Sequence, residues 1–294
     1  MDDVEVRELR TFLAAVDHGS FSAAARVLGT TQPTVSRTVA RLEEVVGARL
    51  VERSTRALTL TASGSALVAH ARRALDQVSA AVELARRAAH EPGRLVVAVK
   101  PDGDAGLLDA AVATFETPDR TVSLILGETE TLADAVRTGR ADVCLVAGPV
   151  DLADLDTDLV LSEPRYAVVP ADHPLAGRDS IRRDDLADVP VLTWPDVSPA
   201  LDRHYQGLLA SEPARTVAAP GAATLADAIR LVELSRGVTL LPASVCARFA
   251  GRRVAVVPVD DLAPSELRIA WRPSSRDLTV AAFVRHVHAR AAGR

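Results

Sequence analysis

The chain has 294 residues, 48% of them apolar, 25% charged and only 3% aromatic, with a formal net charge of −5. That length suits two or three domains with cores of Ala, Val and Leu, and no apolar run reaches the roughly 18 to 20 residues that a membrane helix requires. The charged start "MDDVEVRELR" does not read as a secretory signal, and Cys144 and Cys246, each in an apolar context, suit a reducing cytoplasm better than a disulfide framework.

Basic charge is carried almost wholly by Arg, with Lys100 the only Lys, a bias that a high-GC genome would produce and that says nothing of function. Its distribution is more informative. Between His18 and Ser65, Arg26, Arg37, Arg41, Arg49, Arg53 and Arg56 face only Glu43, Glu44 and Glu52, so a basic segment sits on an acidic protein. One end is therefore expected to meet a polyanion.

Leu9, Phe12, Leu13 and Val16 recur at helical spacing, and Gly19 ends that helix. Ser20 can cap a second helix, where Phe21, Ala24, Ala25 and Leu28 repeat the spacing up to Gly29. Thr31 is a candidate cap for a third helix, with Pro33 in its first turn and a buried face of Val35, Val39, Leu42 and Val46. On a wheel of 100° per residue, Pro33, Arg37, Ala40 and Arg41 point away from that face, with Gln32 and Ser36 on its flanks. Small side chains let a helix approach the major groove, where Arg and Gln read G and A bidentately. Two short helices, a turn and such a third helix form a helix-turn-helix. "ARLVERSTRALTLT" then reads as a β-wing carrying Arg49, Arg53 and Arg56 to phosphates. The alternative is three small helices that merely pack, with solvated arginines.

The string "FSAAARVLGTTQPTVSRTVARLEEVVGARLVERSTRALTLTASG" resembles the winged helix-turn-helix of the LysR-type transcriptional regulators. It runs from an aromatic-Ser-Ala-Ala-Ala helix through Gln-Pro-x-x-Ser-Arg and Leu-Glu-Glu to Gly-x-x-Leu-x-x-Arg and Leu-Thr, about 45 residues in fixed order. Val51 stands where the family usually has Phe beside the wing, a packing change that leaves the docking face intact. The resemblance implies double-stranded DNA as partner, contacted by Thr31, Gln32, Pro33, Ser36, Arg37, Arg41, Arg53 and Arg56.

From Ser63 to His90 the chain is Ala-rich, and Leu67, Ala71, Ala74, Val78, Ala81, Ala85 and Ala88 follow a 4-3-4-3 spacing beside a second row of Val68, Leu75, Val82 and Ala89. A helix of about 27 residues, roughly 40 Å long, cannot bury two rows by itself, so pairing with a second chain is expected through Leu67, Leu75, Val78 and Val82. The alternative is a helix lying across its own domain. The resemblance favours the homodimer, and the family often assembles further into a homotetramer through its effector domains.

From Leu95 onward strands alternate with helices. "RLVVAVK", "TVSLIL" and "ADVCLVAG" are strands separated by helices, which predicts a parallel sheet covered on both faces. A second series runs through "RYAVVP", "VPVLTW", a helix near Pro199 to Ala210, "ARTVAA", the helix "TLADAIRLVELSRG", "VTLLP" and "RRVAVVPV". "ELRIAWR" and a final helix close the chain. Together with "VPADHPLAGR", "VLTWP" and "SRGVTLLPAS", this resembles the family's two-lobed α/β effector domain of type 2 periplasmic-binding-protein fold. The implied division is 1–62 for the winged helix-turn-helix, 63–91 for the dimerising linker helix, 92–163 plus 265–294 for one lobe and 164–264 for the other.

Ligands of open α/β sheets lie outside the carboxyl ends of strands and in clefts between lobes. "KPDGD" (100–104), "GETET" (127–131), "TWP" (193–195) and "PGAAT" (220–224) qualify, three of them leading into helix N-termini suited to anions. Carried over from the family, the effector-binding residues are Lys100, Pro101, Asp102, Thr129, Trp194 and Thr224. The first loop often holds Ser or Thr in the family, and Lys-Pro-Asp-Gly-Asp here puts a simple carboxylate effector in doubt. Lys100 offers charge for an anion, Asp102 and Asp104 could neutralise it or take an amine, and a plain Lys100–Asp102 pair is an equal reading.

Enzyme readings fail on the residues. Asp102 and Asp104 lack further ligands at metal spacing, His286 and His288 point to different helix faces, and His173 in "DHPL" suits a turn. No nucleophile-elbow, Walker or dinucleotide fingerprint is present, and capping explains Ser63 and Ser65. The expected protein is a cytoplasmic regulator without cofactor or metal, switched by a small-molecule effector at a near-palindromic operator, with RNA polymerase as a further partner. Two alternatives stand beside it: a DNA-binding regulator that needs no effector, and a small-molecule-binding module without regulatory role.

Overall fold

The computed structural model describes residues 4–53, 58–194, 197–208, 221–249, 253–273, 275 and 277–293. Arg56, the Arg53 side chain, Pro195 and the expected strand at 214–219 lie outside the described residues. The chain divides into two compact units, residues 1–88 with 137–139, and residues 89–136 with 140–294. Among the described residues, no helix is long and apolar enough to cross a membrane.

The first unit begins with helices α1 (Val6–Asp17), α2 (Phe21–Val27) and α3 (Gln32–Val46). A two-stranded wing of β1 (Val51–Arg53) and antiparallel β2 (Leu58–Leu60) follows, then the 29-residue helix α4 (Ala62–His90). Phe12, Leu13, Val39, Leu42, Leu50 and Val51 form one buried cluster, and Ala15, Ala24, Ala25 and Val35 a second. Burying each large side chain contributes roughly 1.5 to 3 kcal/mol, which sets the three helices against one another. Ser20 caps α2 by accepting from the Ala23 N–H at 3.1 Å, and Gly47 ends α3 in the left-handed conformation at φ 73°. Val46 departs from expectation at 43% exposed, because the apolar stripe of α3 runs one turn past the core it packs on.

Two side chains tie helix to wing. Glu43 Oε1 accepts the N–H groups of Leu50 (2.8 Å) and Val51 (3.2 Å), so the second half of Leu-Glu-Glu starts the wing. Thr61 Oγ1 donates to the Arg49 carbonyl (2.6 Å) and accepts from the Gly64 N–H (3.0 Å). Thr61, rather than Ser63 or Ser65, therefore caps α4, since it alone stands just before the helix. A Cβ at Gly64 would sit 2.0 Å from the Leu50 carbonyl oxygen, so the wing's approach to α4 requires a residue with no side chain there.

The early part of α4 serves its own domain. Ala71 is 1% exposed, and Leu67, Val68 and Leu75 pack on the Phe12–Leu42 cluster. Arg72 pairs with Asp17 of α1. Two of the four expected interface residues, Leu67 and Leu75, are thus engaged within the chain, while Val78 and Val82 remain 40% and 47% exposed.

The second unit holds β3 (Arg94–Val99), α5 (Leu108–Phe115), β4 (Thr121–Leu126), α6 (Thr129–Arg137), β5 (Val143–Ala147) and β6 (Asp156–Glu163). It continues with β7 (Arg165–Pro170), α7 (Pro199–Tyr205), α8 (Leu225–Glu233), β8 (Thr239–Pro242), α9 (Ala243–Cys246) and β9 (Val254–Pro258). Strand β10 (Ser265–Trp271) and helix α10 (Leu278–Ala292) come last. One sheet has the order β4-β3-β5-β10-β6 and the other β8-β7-β9. Strand β3 alternates: Leu95, Val97 and Val99 meet Phe115 of α5 and Phe283 of α10, while Val96 and Ala98 meet Leu132 and Val136 of α6. That alternation places helices on both faces of the first sheet.

The all-parallel expectation holds only for β4, β3 and β5. Strand β10 arrives from the far end of the chain and lies antiparallel to both β5 and β6. The sequence reading missed β6, where Val160 is the only buried residue and the alternation is broken. In the second lobe, "VPVLTW" makes among the described residues only the single bridges Val191–Val238 and Thr193–Gly221, and α7 stops at Tyr205. The chain leaves the first sheet after Glu163 and returns after Pro258, so two short crossings join the lobes.

Candidate functional site

Helix α3 presents Thr31, Gln32, Pro33, Arg37 and Ala40 as exposed residues, with Ser36 half-buried at the flank. Thr31 stands at the N-cap, yet its hydroxyl meets that of Thr34 at 2.8 Å rather than a backbone N–H. Arg37 Nε donates to the Pro33 carbonyl at 3.3 Å within its own helix, and the side chain stays exposed. Arg41 is turned elsewhere: its Nε lies 3.0 Å from Glu8, a residue 3% exposed, and its Nη1 lies 3.5 Å from Glu5. The guanidinium thus braces α3 against α1, while the side chain stays exposed.

In the second unit, loops from both lobes enclose a pocket of about 90 Å³. Lys100 and Pro101 follow β3, Thr129 opens α6, Arg165 opens β7, His204 and Tyr205 end α7, and Leu240 and Leu241 come from β8. Five contacts among the described residues span the cleft. Lys100 Nζ sits 5.6 Å from the Trp194 ring centroid and 5.8 Å from that of Tyr205, within cation–π range. The Thr129 and Tyr205 hydroxyls lie 3.4 Å apart. Glu130 Oε1 accepts the Ser198 N–H at 2.8 Å, and Asp102 pairs with Arg248. Asp102 adopts φ 64°, a left-handed conformation that Asp tolerates better than most residues, and so turns its carboxylate toward Arg248.

Charge in the pocket is distributed unevenly. Lys100 pairs with Glu128 at 2.9 Å, not with Asp102. Arg165 is 3% exposed and donates from Nη2 to the carbonyls of His204 (2.6 Å) and Tyr205 (3.4 Å), at the C-terminus of α7 where the helix dipole favours a cation. Burial lowers its pKa to about 10, which leaves it charged at neutral pH. Burial, and next the Arg165 charge, lower the His204 pKa to about 4, so that imidazole is neutral. Trp194 is 6% exposed, and its Nε1 is buried with no hydrogen-bond partner among the described residues. Of the expected effector residues, Lys100, Pro101, Asp102, Thr129 and Trp194 all line this pocket. Thr224 does not. It is exposed and closes a capping box on α8, with its Oγ1 donating to Asp227 Oδ2 at 2.8 Å.

Residues 6–65 match the model of the bacterial regulatory helix-turn-helix protein, lysR family, and residues 88–292 match that of the LysR substrate binding domain. The chain belongs to the LysR family of transcriptional regulators. Like other LysR regulators it joins a DNA-binding helix-turn-helix domain to a two-lobed α/β effector domain, and the family's members are regulators rather than enzymes. It is 30% identical over 293 residues to the Hca operon transcriptional activator HcaR of Escherichia coli K12, covering 98% of this chain and 99% of that one. It is 33% identical over 242 residues to a probable hydrogen peroxide-inducible genes activator of Mycobacterium leprae, covering 80% and 77%. A full-length OxyR variant from Pseudomonas aeruginosa aligns with a TM-score of 0.56 at 25% identity, covering 98% of this chain and all of that one.

Against that family background, the pocket residues that sequence reasoning missed stand out. Arg165, His204 and Tyr205 carry no local motif: Arg165 opens an apolar strand, and the other two end a short helix. Only the fold brings them within reach of Lys100. The cysteines, by contrast, sit apart from the pocket. Cys144 is buried against α6 and Cys246 in a core cluster of the second lobe. Burial, helped by Glu163, pushes the Cys246 thiol up to about 12.

Proposed function

We propose that this LysR regulator binds a near-palindromic operator as a cytoplasmic homodimer or homotetramer and is switched by a small molecule held between its effector lobes, with RNA polymerase as the machinery it addresses. Gln32, Pro33, Ser36 and Arg37 dock in the major groove, Arg53 and Arg56 of the wing meet phosphates, and Arg41 holds the docking helix in place. Val78 and Val82 join two linker helices. The observation that carries the effector reading is the pocket itself. It is enclosed by both lobes, lined by Thr129 from one and Trp194 from the other, and bridged by Asp102–Arg248 and Glu130–Ser198. A ligand there stabilises one lobe arrangement, and it shifts regulation only to the extent that it prefers that arrangement.

Peroxide sensing through a thiol is the competing reading, raised by the name of the Mycobacterium leprae relative. The buried positions of Cys144 and Cys246 disfavour it, because the thiolate is the species that peroxide oxidises.

The test is a thermal-shift screen of the full-length protein, followed by operator footprinting with each hit. A ligand at 100 times its dissociation constant adds about 2.7 kcal/mol of stability. Hits should stabilise the wild type and lose their effect in the Thr129→Ala, Trp194→Ala double variant. Equal stabilisation of both proteins would place the ligand elsewhere. Operator binding with no hit from any class would favour regulation without an effector.

A further inference from the structure

We infer that the effector is a short aliphatic monocarboxylate, of about two to four carbons, whose carboxylate pairs with Arg165. The inference rests on the reading of the cleft as the effector site and deepens it.

Arg165 is a buried cation with an incomplete set of partners. It is 3% exposed, only Nη2 donates, and no carboxylate among the described residues lies within ion-pair distance. A buried charge without a counter-ion is costly, and the two α7 carbonyls offset only part of that cost. The other charges of the lining are already matched, Lys100 by Glu128 and Asp102 by Arg248. Arg165 is the charge still to be answered.

The remaining polar groups agree with an anion. Trp194 Nε1 is a buried donor with no partner among the described residues, and Thr129, Tyr205 and Ser265 bring hydroxyls that can donate. Asp102, the only acid among the described lining residues, is held by Arg248, so an amine entering the pocket would find no free carboxylate there. Leu132, Leu240, Leu241 and Val245 supply apolar wall for the ligand's body.

Size sets the chain length. A cavity of about 90 Å³ is smaller than the roughly 150 Å³ of an apolar cavity that takes benzene. A two- to four-carbon acid matches that volume, and an aromatic acid exceeds it.

The experiment uses the full-length protein with propionate, its neutral isostere propanamide, the cation propylamine and the larger benzoate, read by thermal shift and calorimetry. Propionate is expected to bind at least tenfold more tightly than propanamide, with no shift from propylamine and a weaker one from benzoate. Arg165→Lys should keep the preference for propionate over propanamide, and Arg165→Met should erase it. Propanamide or propylamine equalling propionate, benzoate exceeding it, or no response to acetate, propionate or butyrate at millimolar concentration would each overturn the proposal. So would an Arg165→Met protein that is less stable yet keeps the preference, because Arg165 would then only cap α7. Ala147→Phe, which fills the pocket, separates this failure from failure of the cleft reading. A non-carboxylate probe that binds the wild type but not Ala147→Phe keeps the cleft and removes the anion. A probe that binds both equally removes the cleft as well.

Discussion

The two ends of this regulator encode their partners in opposite ways. The proposed DNA-docking face is drawn from one stretch of chain, with Gln32, Pro33, Ser36 and Arg37 within six positions of helix α3, and its side chains stand outward from a core of alanines and small aliphatics. The proposed effector pocket draws on Lys100, Thr129, Arg165, Trp194 and Tyr205, which lie scattered over more than a hundred residues and are mostly buried. A helix that enters a groove needs only one exposed face. A pocket that surrounds a small molecule needs walls from several loops, and so depends on the whole fold.

If that contrast is right, the exposed region should fail only where a partner covers it. Val78→Asp is the sharpest case and carries the largest expected effect. On a lone helix, a residue already 40% exposed would accept Asp at almost no cost. Covered by a second chain, it would bury an unpaired charge at a cost of about 3 to 5 kcal/mol. Sedimentation should show the dimer dissociating at concentrations where the wild type stays paired. An unchanged assembly would mean that this part of α4 is not the interface.

The buried region should instead respond to chemistry that needs no partner. His204 titrates at about 4 in the folded chain, below its ordinary 6.5. As pH falls through that window the unfolded chain takes up the proton first, so stability is lost from about 6.5 down to about 4 and is flat above it. The loss from this group is at most about 3 kcal/mol. Denaturant titrations at successive pH values should show wild type losing more than His204→Gln over this interval. Parallel curves would mean that the imidazole is not held neutral by burial.

The docking face should show the smallest effects and the clearest division of roles. Arg37→Ala should cost about 1 to 3 kcal/mol on the preferred operator and relax sequence preference, whereas Arg53→Ala should weaken all sequences alike and reduce the salt slope by about one unit. Identical profiles for the two variants would dissolve the distinction between base and phosphate contact.

The N-terminal third was legible because its determinants are local. Helical spacing selected Phe12, Leu13, Val35 and Leu42 for the core, and the cap at Ser20 and the stop at Gly47 follow from backbone chemistry that operates within a turn. The alternation of strands and helices likewise fixed the α/β class of the second unit and the parallel set β4, β3 and β5. Sequence alone did not tell that Arg41 belongs to Glu8, that Leu67 and Leu75 are consumed within their own domain, or that Thr224 closes a helix instead of a pocket. Nor did it show β10 entering the first sheet between β5 and β6, or Arg165 lying buried beside Lys100 and Trp194. Periodicity states which face of an element is buried, but the partner of a buried charge or strand edge is chosen by groups distant in sequence. Only the packed chain brings those groups together.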